Sequence, residues 1–195
     1  GLGERLRRLI GPVSATPSAA QAIGFIAAVA VLFFYMGFPL QAGWGERGLL
    51  LSEWLILLLP AFLFIRVAGF DFGETFSFRR PEGQKVLGAL LLIAGGMPLG
   101  WFLAWAQGFV LPVPWDMLEG LEDLITAESP SRFLWLLALL ALTPAICEEV
   151  VFRGVLLAGT QGRASAVRVA AFNGLVFGAF HISFESAFRF LPTAW

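Results

Sequence analysis

Residues 132–159 read RFLWLLALLALTPAICEEVVFRGVLLAG, a long apolar run with few charged side chains. A helix needs roughly 20 mainly apolar residues to cross the hydrocarbon core of a bilayer. Only a helix or a closed barrel satisfies its own backbone hydrogen bonds in lipid, where each unpaired group costs several kcal/mol. The stretch therefore predicts a transmembrane helix.

Four further apolar stretches are long enough for the same prediction. They lie at about residues 18–40, 48–69, 86–111 and 164–184, and a sixth stretch begins near Phe188. We predict an all-α fold, a polytopic transmembrane helical bundle of about five full spans plus the start of a sixth. Because no internal repeat or low-complexity segment is visible, we expect one domain over residues 1–195.

The composition agrees with a membrane location. Of the 195 residues, 58% are hydrophobic and 14% are charged, whereas soluble domains have about 25% charged residues. Membrane lipid is thus the expected neighbour of most of the surface. A formal net charge of −1 provides no basic field for phosphates, which argues against nucleic-acid binding.

Loop charges predict the orientation, since Lys and Arg favour the cytoplasmic side. Arg5, Arg7 and Arg8 precede the first span, and basic residues recur at the second and fourth connections. The first connection has Arg47 beside Glu46, and the third is mainly acidic. We predict a cytoplasmic N-terminus and a multi-pass protein of the cell membrane.

Ionisable side chains within the spans are the candidates for chemistry, because charges at membrane depth are costly unless they are paired or solvated. Glu149 and Arg153 are four residues apart with the acid first, the favourable order for an ion pair on a helix. Glu148 lies about 100° around the helix axis and lacks that local partner. His181 is the corresponding residue of the next span.

A helical hairpin would place Glu148 and His181 at the same level. The polar residues 161–165, QGRAS, lie midway between them, about 24 Å of helix from each. A carboxylate and an imidazole in a partly desolvated site can remove a proton from a shared water molecule, which is general-base hydrolysis. Pro144 is expected to kink the helix, to free a backbone carbonyl and so to admit water at this depth.

Two gapped motifs resemble a known family. Glu148, Glu149 and Arg153 fit EExxxR, and Phe177 with His181 fits FxxxH. Residues 188–193, FRFLPT, are similar to the stretch that follows this histidine in many bacterial members. Over about residues 133–193 the chain resembles the CAAX prenyl endopeptidase type II and bacteriocin-processing family, also called CPBP or Abi.

The resemblance implies an intramembrane endopeptidase that hydrolyses a peptide bond near the membrane surface. Glu148 and His181 would activate the attacking water, Glu149 and Arg153 would hold the site together, and Phe177 is assigned to substrate binding. The implied substrate is a peptide or protein, with prenylated ones included. The family also implies a fused or neighbouring ABC transporter permease as a partner and the bacterial inner membrane as the location.

The family has a third motif, a histidine followed four residues later by Asn or a similar residue, which supplies an oxyanion-binding group on a later helix. This sequence contains one histidine. Such a donor typically changes the rate by factors of about 100 to 1000. Because the sequence starts without Met and stops within an apolar stretch, we expect the chain to be a fragment cut at both ends, before the third motif. Without that motif we expect it to be inactive or weakly active.

No cofactor is firmly predicted. Glu148, Glu149 and His181 offer potential ligands for a divalent metal such as zinc, but HExxH is absent and one histidine with two adjacent carboxylates is a poor zinc set. Cys147 is the single cysteine, and its apolar surroundings predict a buried, inert thiol.

Two other functions stay open at this point. The first is a non-catalytic membrane component, such as an ABC permease-associated subunit or a bacteriocin immunity protein. The second is a proton or ion relay, which would require further ionisable residues in other spans, with Glu53 as the candidate. A purely structural ion pair explains Glu149 and Arg153 but not Glu148.

Overall fold

The computed structural model describes residues 14–77, 80–111, 119 and 125–181. Within these ranges all regular structure is helical and no strand occurs, which confirms the predicted all-α helical bundle. The helices longer than four residues are α1 (Ala19–Ala68), α2 (Phe72–Phe76), α3 (Gly83–Gln107), α4 (Pro130–Thr160) and α5 (Ala166–Phe180).

Among the residues that the structure describes, three helices are long and apolar enough to cross a membrane, namely α1, α3 and α4. The protein is therefore a multi-pass membrane protein. Helix α5 is apolar but shorter than the predicted fifth span, and the residues of that span beyond His181 lie outside the described part of the chain. The predicted sixth span also lies there.

Helix α1 contains the first two predicted spans, joined by a tight turn. At Gly45 the backbone has φ 54° and ψ −126°, which is not helical and favours glycine. A Cβ atom at Gly48 would overlap the carbonyl group of Leu40 and the Cα atom of Gln41. The two arms of the hairpin therefore meet backbone to backbone, and a larger residue at Gly48 would separate them.

Helices α1 and α4 alternate between α-helical and wider π-helical turns. Their π-helical segments are Phe33–Gly37, Ser52–Leu58, Ala138–Leu142 and Glu149–Leu156. The α-helical segments between and beside them are Ala19–Leu32, Phe38–Leu51, Leu59–Ala68, Pro130–Leu137, Thr143–Glu148 and Leu157–Thr160.

Proline explains three of the four π-helical segments. Pro39, Pro60 and Pro144 each lie two residues after one of them. Proline has no N–H group and its ring clashes with the carbonyl four residues earlier. A wider turn removes that clash and keeps the helix continuous. The helix thus continues through Pro144 by way of a π-helical segment, and the predicted kink there stays a prediction. Pro98 lies within α3 without such a segment.

The helix ends have polar caps. The Ser18 hydroxyl accepts a hydrogen bond from the Gln21 N–H at 3.3 Å, and the Gln21 side chain accepts one from the Ser18 N–H at 2.9 Å. This capping box starts α1. The Ser129 hydroxyl accepts from the Arg132 N–H at 3.2 Å and starts α4, with Pro130 in the first turn.

The described helices belong to two compact units. The first comprises residues 1–78 and 127–164, and so contains α1, α2 and α4. Small residues bring its helices together, because a Cβ atom at Gly159 would overlap that of Ala22, and one at Gly154 would come within 2.5 Å of the Phe76 ring. Close approach of this kind drives helix packing in lipid, where apolar burial alone gives little.

The second unit comprises residues 79–126 and 165–195, with α3 and α5 as its described helices. Along α3 the large apolar side chains are exposed, as expected of a helix that faces lipid. In α5, Val169 and Gly178 are buried. The assignment of residues 1–195 to one domain stays a prediction.

Candidate active site

The Glu149 and Arg153 side chains form the predicted ion pair. The Arg153 guanidinium donates a hydrogen bond to the Glu149 carboxylate within the π-helical segment Glu149–Leu156. The side chains are 51% and 67% exposed, respectively. Because a membrane would surround this helix, the pair neutralises two charges that lipid would otherwise penalise.

Glu148 ends the α-helical segment Thr143–Glu148 directly before this pair. Its side chain is half-buried, and its neighbour Cys147 is fully buried. The segment packs against the π-helical segment Ser52–Leu58 of α1. Protein therefore covers at least one side of Glu148. A carboxylate in this position is partly shielded from water but still accessible to it.

Glu53 is the second carboxylate of this region. It lies in Ser52–Leu58 and is 4% exposed. It is close enough to Glu148 for the two carboxyl groups to interact electrostatically, and Cys147 is within electrostatic range of both. The Glu53 Oε2 atom is buried and has no hydrogen-bond partner among the described residues.

His181 follows the last residue of α5 in the second unit. Its Nδ1 atom lies 2.9 Å from the Phe177 carbonyl oxygen. Since that oxygen can only accept, Nδ1 donates, and in a neutral ring Nε2 then has the basic lone pair. The two rings are also in contact, with centroids 4.7 Å apart. Phe177 thus orients His181 with both backbone and ring.

The structure keeps the members of each motif together. Glu148, Glu149 and Arg153 lie in the first unit, while Phe177 and His181 lie in the second. The pairing of Glu148 with His181 stays a prediction from the sequence. The role of Phe177 in substrate binding stays a prediction too, beside its observed contact with the imidazole.

Residues 130–195 match the sequence profile of a protease family, described as type II CAAX prenyl endopeptidase Rce1-like. Over this segment the chain is similar to the Rce1-like family. The resemblance predicted from the two motifs is thereby confirmed. No curated protein and no solved structure matches the chain significantly.

All five predicted site residues fall within the Rce1-like segment, whereas Glu53 lies before it, in α1. Sequence reasoning considered Glu53 only for an ion relay. The signal that points to it is the one used for Glu148, an acidic residue inside an apolar run. No pattern in the sequence indicates that Ser52–Leu58 contacts Thr143–Glu148, because this contact depends on tertiary packing.

The described residues do not fit a metal site. Nowhere in the described ranges do three or more His, Cys, Asp or Glu side chains converge closely enough to hold one ion. Glu149 is bound by Arg153, and Glu53 with Glu148 supplies two carboxylates, fewer than the three or four protein ligands of a typical zinc site.

Proposed function

We propose that the protein is an intramembrane endopeptidase that hydrolyses a peptide bond near the membrane surface. The main support is the match of residues 130–195 to type II CAAX prenyl endopeptidases, within which both motifs fall. A half-buried Glu148 on an apolar helix is consistent with this activity, since a general base needs water access together with partial desolvation.

Glu148 is the proposed general base and His181 its partner. Glu149 and Arg153 are positioning residues, because their mutual ion pair holds the guanidinium at Glu149 and fixes the helical turn directly after Glu148. The Nδ1 hydrogen bond to Phe177 presents the Nε2 lone pair of His181 as a hydrogen-bond acceptor or base.

The proposed reaction is a non-covalent hydrolysis. Glu148 removes a proton from water as the water oxygen attacks the scissile carbonyl carbon, forming a tetrahedral intermediate. His181 accepts a hydrogen bond from the same water and orients it. On collapse of the intermediate, the C–N bond breaks and Glu148 delivers the proton to the departing amine. The carboxylate is thereby regenerated.

The proposed substrate is a membrane-associated peptide or protein, and prenylated peptides are the class that the family name indicates. We further propose the bacterial inner membrane as the location and an ABC transporter permease, fused or neighbouring, as a partner. An apolar helix such as α3, exposed along its length, is compatible with lipid or with another membrane protein.

The test is peptide cleavage in proteoliposomes that contain the natural full-length protein. Matched prenylated and unprenylated peptides are compared, with Glu148→Gln as the key variant and Glu82→Gln as its control, since Glu82 is exposed and paired with Lys85. We expect cleavage by wild type and by the control, and none by Glu148→Gln. Cleavage by folded Glu148→Gln would refute the mechanism, and binding without cleavage would favour the non-catalytic membrane component.

One observation favours a second candidate function, a proton relay. Glu53 and Glu148 are adjacent acidic groups on neighbouring helices, and chains of such groups conduct protons in transporters. Acidification of proteoliposomes under a pH gradient would test this. A proton flux that is present in wild type and lost in both Glu53→Gln and Glu148→Gln would support the relay. An equal proton leak in wild type and both variants would reject it.

A further inference from the structure

Among the described residues, Glu53 is the most deeply buried ionisable side chain that the proposed mechanism does not use. It is 4% exposed, and in the described part of the chain no Lys, Arg or His forms an ion pair with it. An isolated buried carboxylate is strongly disfavoured in an apolar environment. The burial therefore requires either a proton on Glu53 or a compensating group.

The surroundings of Glu53 identify the interacting group. Segment Ser52–Leu58 packs against six other helical segments, and Glu148 is the ionisable residue whose charge acts on Glu53. The titratable or charged residues of these packed segments are Tyr35, Glu46, Arg47, Arg66, Cys147, Glu148, Glu149 and Arg153.

The two cations nearest in sequence to the acidic cluster have other partners or positions. Arg153 binds Glu149, and Arg47 is exposed in the segment Phe38–Leu51. For Glu53, 4% exposed and close to a second carboxyl group, the ionised form is disfavoured twice, because burial removes its hydration and a like charge repels it. The deeper of the two, Glu53, is the one for which ionisation is least favourable.

We propose that Glu53 is a positioning residue that stays protonated and donates a hydrogen bond, directly or through one water molecule, to the Glu148 carboxylate. The inference rests on the proposed function in that it takes Glu148 as the general base. A neutral acid in an apolar pocket is a hydrogen-bond donor that adds no charge. It would hold one oxygen of Glu148 and direct the other to the attacking water.

Two substitutions separate this role from a charged or purely steric one. Glu53→Gln keeps the shape and an N–H donor, so we expect kcat to stay within about threefold of wild type. Glu53→Leu keeps an apolar side chain of similar size without a donor, and we expect kcat to fall about 10- to 100-fold, the usual range for one hydrogen bond to a charged group. KM should be unchanged in both, since Glu53 does not touch substrate.

A spectroscopic measurement makes the test independent of cleavage. Infrared difference spectra of the full-length protein at neutral pH should show the C=O stretch of a protonated carboxylic acid, present in wild type and absent in Glu53→Gln. Persistence of the band in Glu53→Gln, or its absence from wild type, would overturn the proposal. So would kcat values for folded Glu53→Leu equal to those of wild type.

The outcomes also distinguish this inference from the proposed function. If wild type shows the Glu53 band but cleaves no peptide, the protease proposal fails and the protonated carboxyl stands. If wild type cleaves and Glu148→Gln does not, while Glu53→Gln is as inactive as Glu148→Gln, the protease proposal stands. The donor role of Glu53 is then wrong, because a charged Glu53 was needed.

Discussion

Arg153 donates a hydrogen bond to Glu149 from a position four residues later, inside the π-helical segment that begins directly after Glu148. The pair neutralises itself within one segment of helix. Glu148 lies outside this pair, one residue before it. This difference in position is the reason why Glu149 is proposed as a positioning residue and Glu148 as the general base.

The coupling free energy between Glu149 and Arg153 should show whether their ion pair lies beside lipid or in water. We expect Arg153→Met to lower the thermal stability of the protein in detergent and to abolish cleavage, and Glu149→Gln in the same chain to restore part of the stability. Exposed pairs in water couple by about 0.3–0.5 kcal/mol. For a pair beside lipid we expect about 1 kcal/mol or more, because each single variant leaves one charge unpaired.

A double-mutant cycle measures this coupling, with the exposed ion pair of Glu82 and Lys85 as the matched control. That pair has an N–O distance of 3.0 Å, and its side chains are 70% and 71% exposed. Its coupling should be small and salt-dependent. Equal coupling in both cycles would show that Glu149 and Arg153 are solvated like an ordinary surface pair.

The hairpin within α1 should depend on Gly48 and tolerate a change at Gly43. Alanine at Gly48 would place its Cβ atom against the backbone of Leu40 and Gln41, whereas a Cβ at Gly43 meets nothing within 4 Å. We expect Gly48→Ala to destabilise the protein by about 2 kcal/mol, within the range for overpacking. Thermal unfolding monitored by size-exclusion chromatography is the measurement.

Gly43→Ala should leave stability unchanged or raise it slightly, because alanine favours helix over glycine by about 1 kcal/mol. Similar unfolding temperatures for the two alanine variants would contradict the close backbone contact at Gly48. The comparison is well matched, since both glycines lie in the segment Phe38–Leu51 and receive the same methyl group.

Local composition and spacing are the part of the fold that could be predicted from the sequence. Long apolar runs identify the spans because lipid requires helices, and the spacing of Glu149 and Arg153 identifies their ion pair because the two residues lie on one helix. The break at Gly45 falls between two predicted spans, since Gly43, Gly45 and Gly48 interrupt the apolar runs.

Tertiary relationships could not be predicted in this way. The approach of Glu53 to Glu148 requires two segments far apart in sequence to pack, and no periodicity within either one specifies that contact. The π-helical turns also escape prediction. Their link to Pro39, Pro60 and Pro144 is visible in the sequence only as a proline that a helix has to accommodate.

A polar contact should attach the hairpin turn to α4. Glu46, next to the break at Gly45, accepts hydrogen bonds from the Arg132 guanidinium and, at 2.7 Å, from Trp135 Nε1. We expect Trp135→Phe to cost about 0.5–1 kcal/mol. This is less than the roughly 1.5–3 kcal/mol typical of a hydrogen bond to a charged group, because water and salt partly screen this site.

Unfolding temperatures of Trp135→Phe and of Trp101→Phe give the comparison, since Trp101 is 74% exposed on α3. The Trp135 variant should be the less stable, and in a Glu46→Gln background the two tryptophan variants should differ less. If Trp135→Phe has the same effect in the wild-type and Glu46→Gln backgrounds, the hydrogen bond to the Glu46 carboxylate does not contribute to stability.

Cys147 should be inaccessible to thiol reagents in the folded protein. It is fully buried, next to Glu148 and within electrostatic range of Glu53, and a thiol reacts only when it is exposed as a thiolate. We expect no labelling by a water-soluble maleimide in native membranes and full labelling after denaturation.

The control is a Gln161→Cys variant in a Cys147→Ala background. Gln161 is exposed in the turn between α4 and α5, so its cysteine should be labelled when the reagent reaches that side of the membrane. Rapid labelling of native Cys147 would mean that water reaches the carboxylate pair freely, and the partly desolvated site that the hydrolytic mechanism requires would then be absent.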